Sequence, residues 1–139
     1  APAGVDLSIL EARPQKKETL GFVQIRRTQA GIAEEVFAVG NPLDHRWTVT
    51  KGSISAVRTR TMEGESVKIY QTDAAISSGN SGGGLYNREG RLVGINTWTA
   101  AKGVAEGLGF SISVETLLEV LGRSPLAWAK RLVKAAEDP

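Results

Sequence analysis

Short runs in which apolar and polar residues alternate recur along most of this chain, and its end changes to helical spacing. Residues 22–25, 36–39, 53–58, 67–71, 92–98 and 107–112 read as strands, several with β-branched or aromatic side chains alternating with polar ones. Residues 5–10, an apolar stretch interrupted by Asp6, are a further candidate. Turn chemistry separates these runs at Gly40-Asn41-Pro42, Glu63-Gly64-Glu65, Asn87-Arg88-Glu89-Gly90 and Ala101-Lys102-Gly103. Residues 11–18 are charged, contain Pro14 and read as a linker. Short strands at this spacing predict a sandwich or small barrel rather than a parallel sheet. Near the end, Val114, Leu117, Leu118 and Leu121 repeat as one helix face, and Gly122 stands where that helix should stop. Ser124-Pro125 reads as the N-cap and first-turn proline of a second amphipathic helix running toward Ala136.

Composition narrows the function classes. A chain of 139 residues suits one domain, and 41% hydrophobic with 23% charged residues is ordinary for a globular protein. No apolar run approaches the roughly 20 residues that cross a bilayer, so no membrane span is expected. The first thirty residues lack a basic start followed by an apolar stretch, so no signal peptide is expected. The start at Ala rather than Met suggests a piece of something longer. The basic pairs Arg26-Arg27 and Lys130-Arg131 are short and lack interleaved aromatics, and the net charge is only +2, so a nucleic-acid surface is not expected. Cysteine is absent, which excludes disulfides, a thiol nucleophile and Cys metal sites. With a single His, a structural zinc site is not expected either. Neither a metal nor a cofactor is anticipated.

The most informative stretch is Gly79-Asn80-Ser81-Gly82-Gly83-Gly84. A serine hydroxyl attacks well only when a neighbouring base takes its proton. The backbone must also turn tightly enough for main-chain N–H groups to converge where an oxyanion forms, and Gly79 permits that turn. The N–H groups of Gly79 and Ser81 would be the oxyanion donors. Losing one such donor costs about 100- to 1,000-fold in turnover. A glycine-rich hairpin with an incidental Ser fits the same letters. So does the nucleophile elbow of the α/β-hydrolases, but that elbow needs a helix after the serine. Here Leu85-Tyr86, a turn and a strand follow, so the esterase reading does not fit.

The residues from Gln71 to Gly83, Gln71-Thr72-Asp73-Ala74-Ala75-Ile76-Ser77-Ser78-Gly79-Asn80-Ser81-Gly82-Gly83, closely resemble the nucleophile segment of HtrA (Deg)-type serine proteases. Four more blocks resemble the same family in its order. They are Asp6-Leu7-Ser8-Ile9-Leu10, Val39-Gly40-Asn41-Pro42 with Thr48-Val49-Thr50-Lys51-Gly52, Gly94-Ile95-Asn96-Thr97, and Gly107-Leu108-Gly109-Phe110-Ser111-Ile112. The resemblance implies a chymotrypsin-like fold of two six-stranded barrels with the active site between them. Ser81 aligns with the nucleophile and Asp6 with the triad acid, which would orient an imidazole and stabilise its protonated form. The triad His has no counterpart, because it belongs well upstream of Asp6. The expected fold is therefore all-β: residues 1–30 form the last strand of the first barrel plus the linker. Residues 31–139 form the six-stranded antiparallel second barrel with a C-terminal helical tail. Family members usually continue into PDZ domains, which this sequence does not contain.

The expected function is the nucleophile-bearing half of a serine endopeptidase, inactive or nearly so alone. The other reading is a non-catalytic barrel serving as a binding or scaffold module. The substrate pocket would be built from Ala75, Ile76, Ser77 and Ser78, the strand residues Ile95, Asn96 and Thr97, and Gly109 to Ser111. These are small, apolar or uncharged, so a small aliphatic residue before the cut is expected. Trp98 reads either as a cap on that pocket or as packing, and Phe110 as core. His45, the only histidine, falls in a turn and reads as an exposed loop residue, although Asp6, His45 and Ser81 follow the chain order of subtilisins. Asp6 alone could also be an ordinary acid at a strand start. Asp73 reads as a brace for the loop before Ser81, and Glu34-Glu35 as a solvated turn. Expected partners are polypeptide substrates, the missing N-terminal barrel and another copy of this chain, paired through the open edge at residues 7–10. Family resemblance places such proteins outside the bacterial cytoplasm, in the periplasm.

Overall fold

The computed structural model describes residues 5–13, 21–41, 47–62, 64–99 and 108–137. Its strands are β1 (Glu35–Gly40), β2 (Thr48–Met62), β3 (Glu65–Thr72), β4 (Gly84–Tyr86), β5 (Leu92–Thr99) and β6 (Gly109–Ser113), followed by helices α1 (Val114–Gly122) and α2 (Ala127–Glu137). The six strands close into one antiparallel barrel in the order β1-β2-β3-β6-β5-β4. The expected all-β barrel with C-terminal helices is therefore what this chain forms.

Strand β2 is long because it serves two neighbours. Its first half pairs with β1, from Gly40 against Thr48 to Glu35 against Ser53. Its second half pairs with β3, from Ile54 against Thr72 to Met62 against Glu65, with a register shift between Ile54 and Ala56. The alternation visible in residues 53–58 caught only the middle of this element. Strand β4 escaped the sequence pattern because three residues are too few to show a period. Residues 5–10 form no strand, since no described strand lies beside them to supply a ladder. Of residues 22–25, only Ile25 bridges, in parallel with Leu92, and Phe22 lies exposed.

Side chains alternate across the sheet, and both faces are covered. Val36, Ala38, Ile54, Tyr70, Leu85 and Val93 fill the barrel interior. Val67, Ile69, Phe110 and Ile112 face outward and pack with Val114, Leu117, Leu118, Leu121, Val5 and Leu7. The expected helical face is therefore the one that docks. Helix α1 starts where the Ser113 hydroxyl accepts from the Thr116 N–H at 3.2 Å. It runs through Gly122, because the Arg123 N–H still reaches the Glu119 carbonyl at 3.2 Å. Gly122 is thus the last helical residue rather than a left-handed stop. Helix α2 begins two residues later than Ser124-Pro125 suggests: the Leu126 carbonyl accepts from Ala129 and Lys130, and Ser124 caps only a local turn at Leu126.

The segment leading into β1 is tied down by polar contacts. Arg26 pairs with Glu34, Glu35 pairs with Lys51 at 2.6 Å, and Lys68 reaches Gln29 at 2.9 Å. Glu34-Glu35 is therefore not a solvated turn, since each carboxylate has a cation within reach. The buried N–H of Ala30 donates to the hydroxyl of Tyr70 in β3 at 3.0 Å. Burial pushes the Tyr70 phenol above its usual range, and the Ala30 N–H draws it partly back.

Tyr70→Phe should destabilise the fold by about 1–3 kcal/mol at neutral pH, because it strands the buried Ala30 N–H. A phenol whose folded pKa is raised contributes stability that is intact below its unfolded pKa of about 10 and is lost as pH climbs through the folded value. Urea melts of both proteins should therefore converge above about pH 10, and a gap that stays constant would contradict this assignment.

Candidate active site

The turn that carries Ser81 is held from two sides. Before it, Asp73 accepts from the Ser53 N–H at 2.6 Å, and the Thr50 hydroxyl donates to the Ala75 carbonyl at 2.8 Å. Asp73 thus braces this loop against β2, as its position suggested. After it, the Gly82 N–H donates to the Asn96 carbonyl and the Asn96 N–H to the Gly83 carbonyl, each at 2.8 Å. Asn80 turns inward and is buried against Gly40, where any side chain would collide: a Cβ there would lie 2.2 Å from Asn80 Oδ1. Gly83 is pressed as closely against the Val39 carbonyl. These contacts leave Ser81 exposed at the tip.

Within the turn, Gly79 adopts φ +100°, in the range that favours glycine. Hydrogen bonds engage the N–H groups of Asn80, Gly82 and Gly83, and among the described residues none engages those of Gly79 and Ser81. The Gly79 and Ser81 N–H groups singled out from the sequence are thus both without a partner among the described residues.

Asp6 and Ser81, 75 positions apart in the chain, line one cavity of about 550 Å³. Thr97 lies between them. Its carbonyl accepts from Ser81 Oγ at 2.7 Å, and its hydroxyl donates to Asp6 Oδ2 at 3.5 Å. The remaining wall comes from residues 7–10, Gly82, Ile95 and Asn96, with Leu117, Leu121 and Leu132 from the helices. Asp6 is the one charged residue in this lining. His45 lies outside the described residues, as do residues 101–107.

Of the residues expected to form the substrate pocket, Ile95, Asn96 and Thr97 line this cavity, whereas Ala75, Ile76, Ser77, Ser78 and Gly109 do not. Ala75, Ser77 and Ser78 are exposed, whereas Ile76 is buried and packs on Gly109, where a Cβ would sit 2.7 Å from its Cδ1. The Asn96 side chain is buried and satisfied, donating to the Gly84 carbonyl at 3.2 Å and accepting from Ser111 at 2.9 Å. It clasps the barrel. Phe110 is core, and Trp98 stacks on it with ring centroids 5.2 Å apart. Three contributors were not legible in the sequence: the Thr97 hydroxyl, the Thr50 brace and the leucine wall. Each depends on a contact between distant segments that leaves no local pattern.

A family model for the trypsin-like peptidase domain matches residues 1–95. This chain belongs to the trypsin-like peptidases, and among them to the HtrA type. This trypsin-like chain is 40% identical over 122 residues to the serine endoprotease DegS of Haemophilus influenzae, an alignment covering 84% of this chain and 35% of DegS. It is 36% identical over 121 residues to the probable periplasmic serine endoprotease DegP-like of Hahella chejuensis, covering 85% of this chain and 25% of that protein. Among solved structures, the serine endoprotease from Yersinia pestis superposes with a TM-score of 0.59 at 34% identity, covering 84% of this chain and 36% of that one. The chain thus spans about a third or less of the length of these HtrA-type relatives. No described helix is long and apolar enough to cross a membrane.

Because Gly79 sits at φ +100°, Gly79→Ala should cost about 1–3 kcal/mol in a urea melt. Ser81→Ala removes only an exposed hydroxyl and should stay within about 0.5 kcal/mol of the parent. Equal effects of the two substitutions would mean that the turn is not held as described.

Proposed function

We propose that this chain carries the nucleophile of a serine endopeptidase and hydrolyses peptide bonds through an acyl-enzyme once a general base is supplied. The observation that carries this reading is the meeting of Ser81 and Asp6 at one cavity, on a turn whose Gly79 and Ser81 N–H groups have no partner among the described residues. In the reaction, Ser81 Oγ bonds to the scissile carbonyl carbon as its proton passes to the base. The Gly79 and Ser81 N–H groups hold the resulting oxyanion. The C–N bond then breaks, the base returns its proton to the leaving amine, and water releases the acyl group by the same steps in reverse. Asp6 would orient the base and stabilise its protonated form.

The base is the missing part. Among the described residues Ser81 Oγ donates to the Thr97 carbonyl, which has no capacity to take its proton. We place the base on an N-terminal barrel packed over residues 5–10 and the cavity beside Ser81, with residues 1–30 as last strand and linker and residues 31–139 as the second barrel. The chain by itself is then inactive or nearly so. The same contact is what would favour a non-catalytic barrel that serves only to bind. A periplasmic setting is supported by the printed name of the DegP-like relative.

The pocket before the cut is small. Ile76 fills the space over Gly109, and no acid lies among the exposed residues Ala75, Ser77 and Ser78. Substrates with Val or Ala there should be cleaved in preference to those with Lys or Phe.

Intact-mass labelling with a fluorophosphonate tests the catalytic reading. We expect no adduct on this chain alone, a stoichiometric adduct at Ser81 in the full-length protein, and none in full-length Ser81→Ala. Unlabelled full-length protein would support the binding module instead. With full-length enzyme, Ile76→Ala should raise kcat/KM for a Phe substrate relative to a Val substrate by about tenfold, the scale of one or two methylenes in an apolar pocket. An unchanged ratio would remove Ile76 from the pocket floor.

A further inference from the structure

Strand β5 has one incomplete edge. On one side it pairs with β6 along its length, from Gly94 against Ser113 to Thr99 against Gly109. On the other, β4 accompanies it only as far as Ile95, and the Gly82 and Gly83 backbone then takes up Asn96. Beyond that point, among the described residues, Trp98 and Thr99 have no strand beside them. This free edge starts at Thr97, whose carbonyl touches Ser81 Oγ. An extended peptide presented to Ser81 can add to it as a strand.

A cation stands over a side chain that this part of β5 carries. The irregularity between Asn96 and Trp98 turns Trp98 onto the outer face, stacked on Phe110 at an interplanar angle of 21°. The Arg60 guanidinium carbon lies 5.8 Å from the Trp98 ring centroid and 5.7 Å from that of Phe110. Arg60 is exposed, and among the described residues it has no carboxylate partner. Glu65, on the same face of the sheet by alternation, is held by Arg123 at 2.8 Å. Arg58 is spent on Gln71 at 3.0 Å. An aromatic floor under one face of a guanidinium fixes its plane and leaves the edge donors free. That edge matches a carboxylate with two parallel hydrogen bonds.

We propose that Arg60, laid over Trp98 and Phe110 beside the free edge of β5, selects peptides with an acidic side chain on the part that lies along β5. The inference rests on reading Ser81 as a peptidase nucleophile, and it adds a charge preference that the uncharged residues around Ile76 do not provide. The small aliphatic residue enters beside Ile76, and the acid engages Arg60 one to three residues farther along the strand.

Fluorescence anisotropy on this chain tests it. Two dye-labelled heptapeptides share a central Val and differ only in carrying Glu or Gln at the three preceding positions and, in a second pair, at the three following ones. We expect one Glu peptide to bind about tenfold tighter than its Gln twin, the range of a charge-assisted pair. That difference should disappear in Arg60→Gln and fade above about 0.5 M salt. It should persist in Ser81→Ala, so a chain whose Ser81 never reacts with fluorophosphonate still reports on Arg60. Arg60→Lys should keep only part of the preference, because an ammonium lacks the planar fork. Equal binding of both twins, a preference that survives Arg60→Gln, or no binding by any of the four peptides would overturn the proposal.

Discussion

The shortest strand of the barrel carries much of its architecture. Strand β4 pairs on one side with Phe37 and Ala38 of β1, and on the other with Leu92, Gly94 and Ile95 of β5. Without these three residues the sheet stays open, and the ladder loses the closure that satisfies both its edges. Ser81 lies three residues before β4, so the same closure sets its distance from Thr97. Gly84 makes the fit possible, since a Cβ there would fall 2.4 Å from the Tyr86 ring. Fold stability and the position of the candidate nucleophile therefore rest on one set of backbone contacts.

A second constraint lies outside the barrel. Residues on the outer face of β3 and β6 are as apolar as those inside, and α1 covers them together with Val5 and Leu7. That cover holds the N-terminal segment beside the barrel even though it joins no sheet, and so holds Asp6 at the cavity. Apolar packing thus does at residues 5–7 what a ladder does elsewhere. Buried aliphatic side chains contribute about 1.5–3 kcal/mol each, enough for two of them to hold a short segment.

Polar contacts refine this arrangement. Asn80 is buried with Oδ1 unpartnered among the described residues, and its Nδ2 lies 3.5 Å from the Ala75 carbonyl. Burying an unpaired amide oxygen costs about 1–3 kcal/mol. Such a cost is tolerated where the surrounding backbone over-determines the conformation. Here the Asp73, Thr50 and Asn96 contacts supply that constraint. The half-buried ion pairs at Glu34, Glu35 and Glu65 contribute less, because water still reaches and screens them.

Several features were determined by the sequence itself, because they are local. Apolar runs of four or more residues, several of them alternating, marked parts of β1, β2, β3, β5 and β6. Helical spacing marked the buried face of α1, and the glycines around Ser81 announced a tight turn with backbone donors. Other features needed the folded chain. Strand β4 has too few residues for a period, residues 5–10 are apolar without becoming a strand, and the helix ends shifted by one or two residues as carbonyls found other donors. The link from Ser81 through Thr97 to Asp6 joins segments up to 91 positions apart. The placement of Arg60 over Trp98 likewise follows from a register across three strand pairings. Sequence patterns report the period of one element against its own neighbours. Which elements become neighbours is decided by closure of the barrel and burial of its two faces, and those are properties of the whole chain.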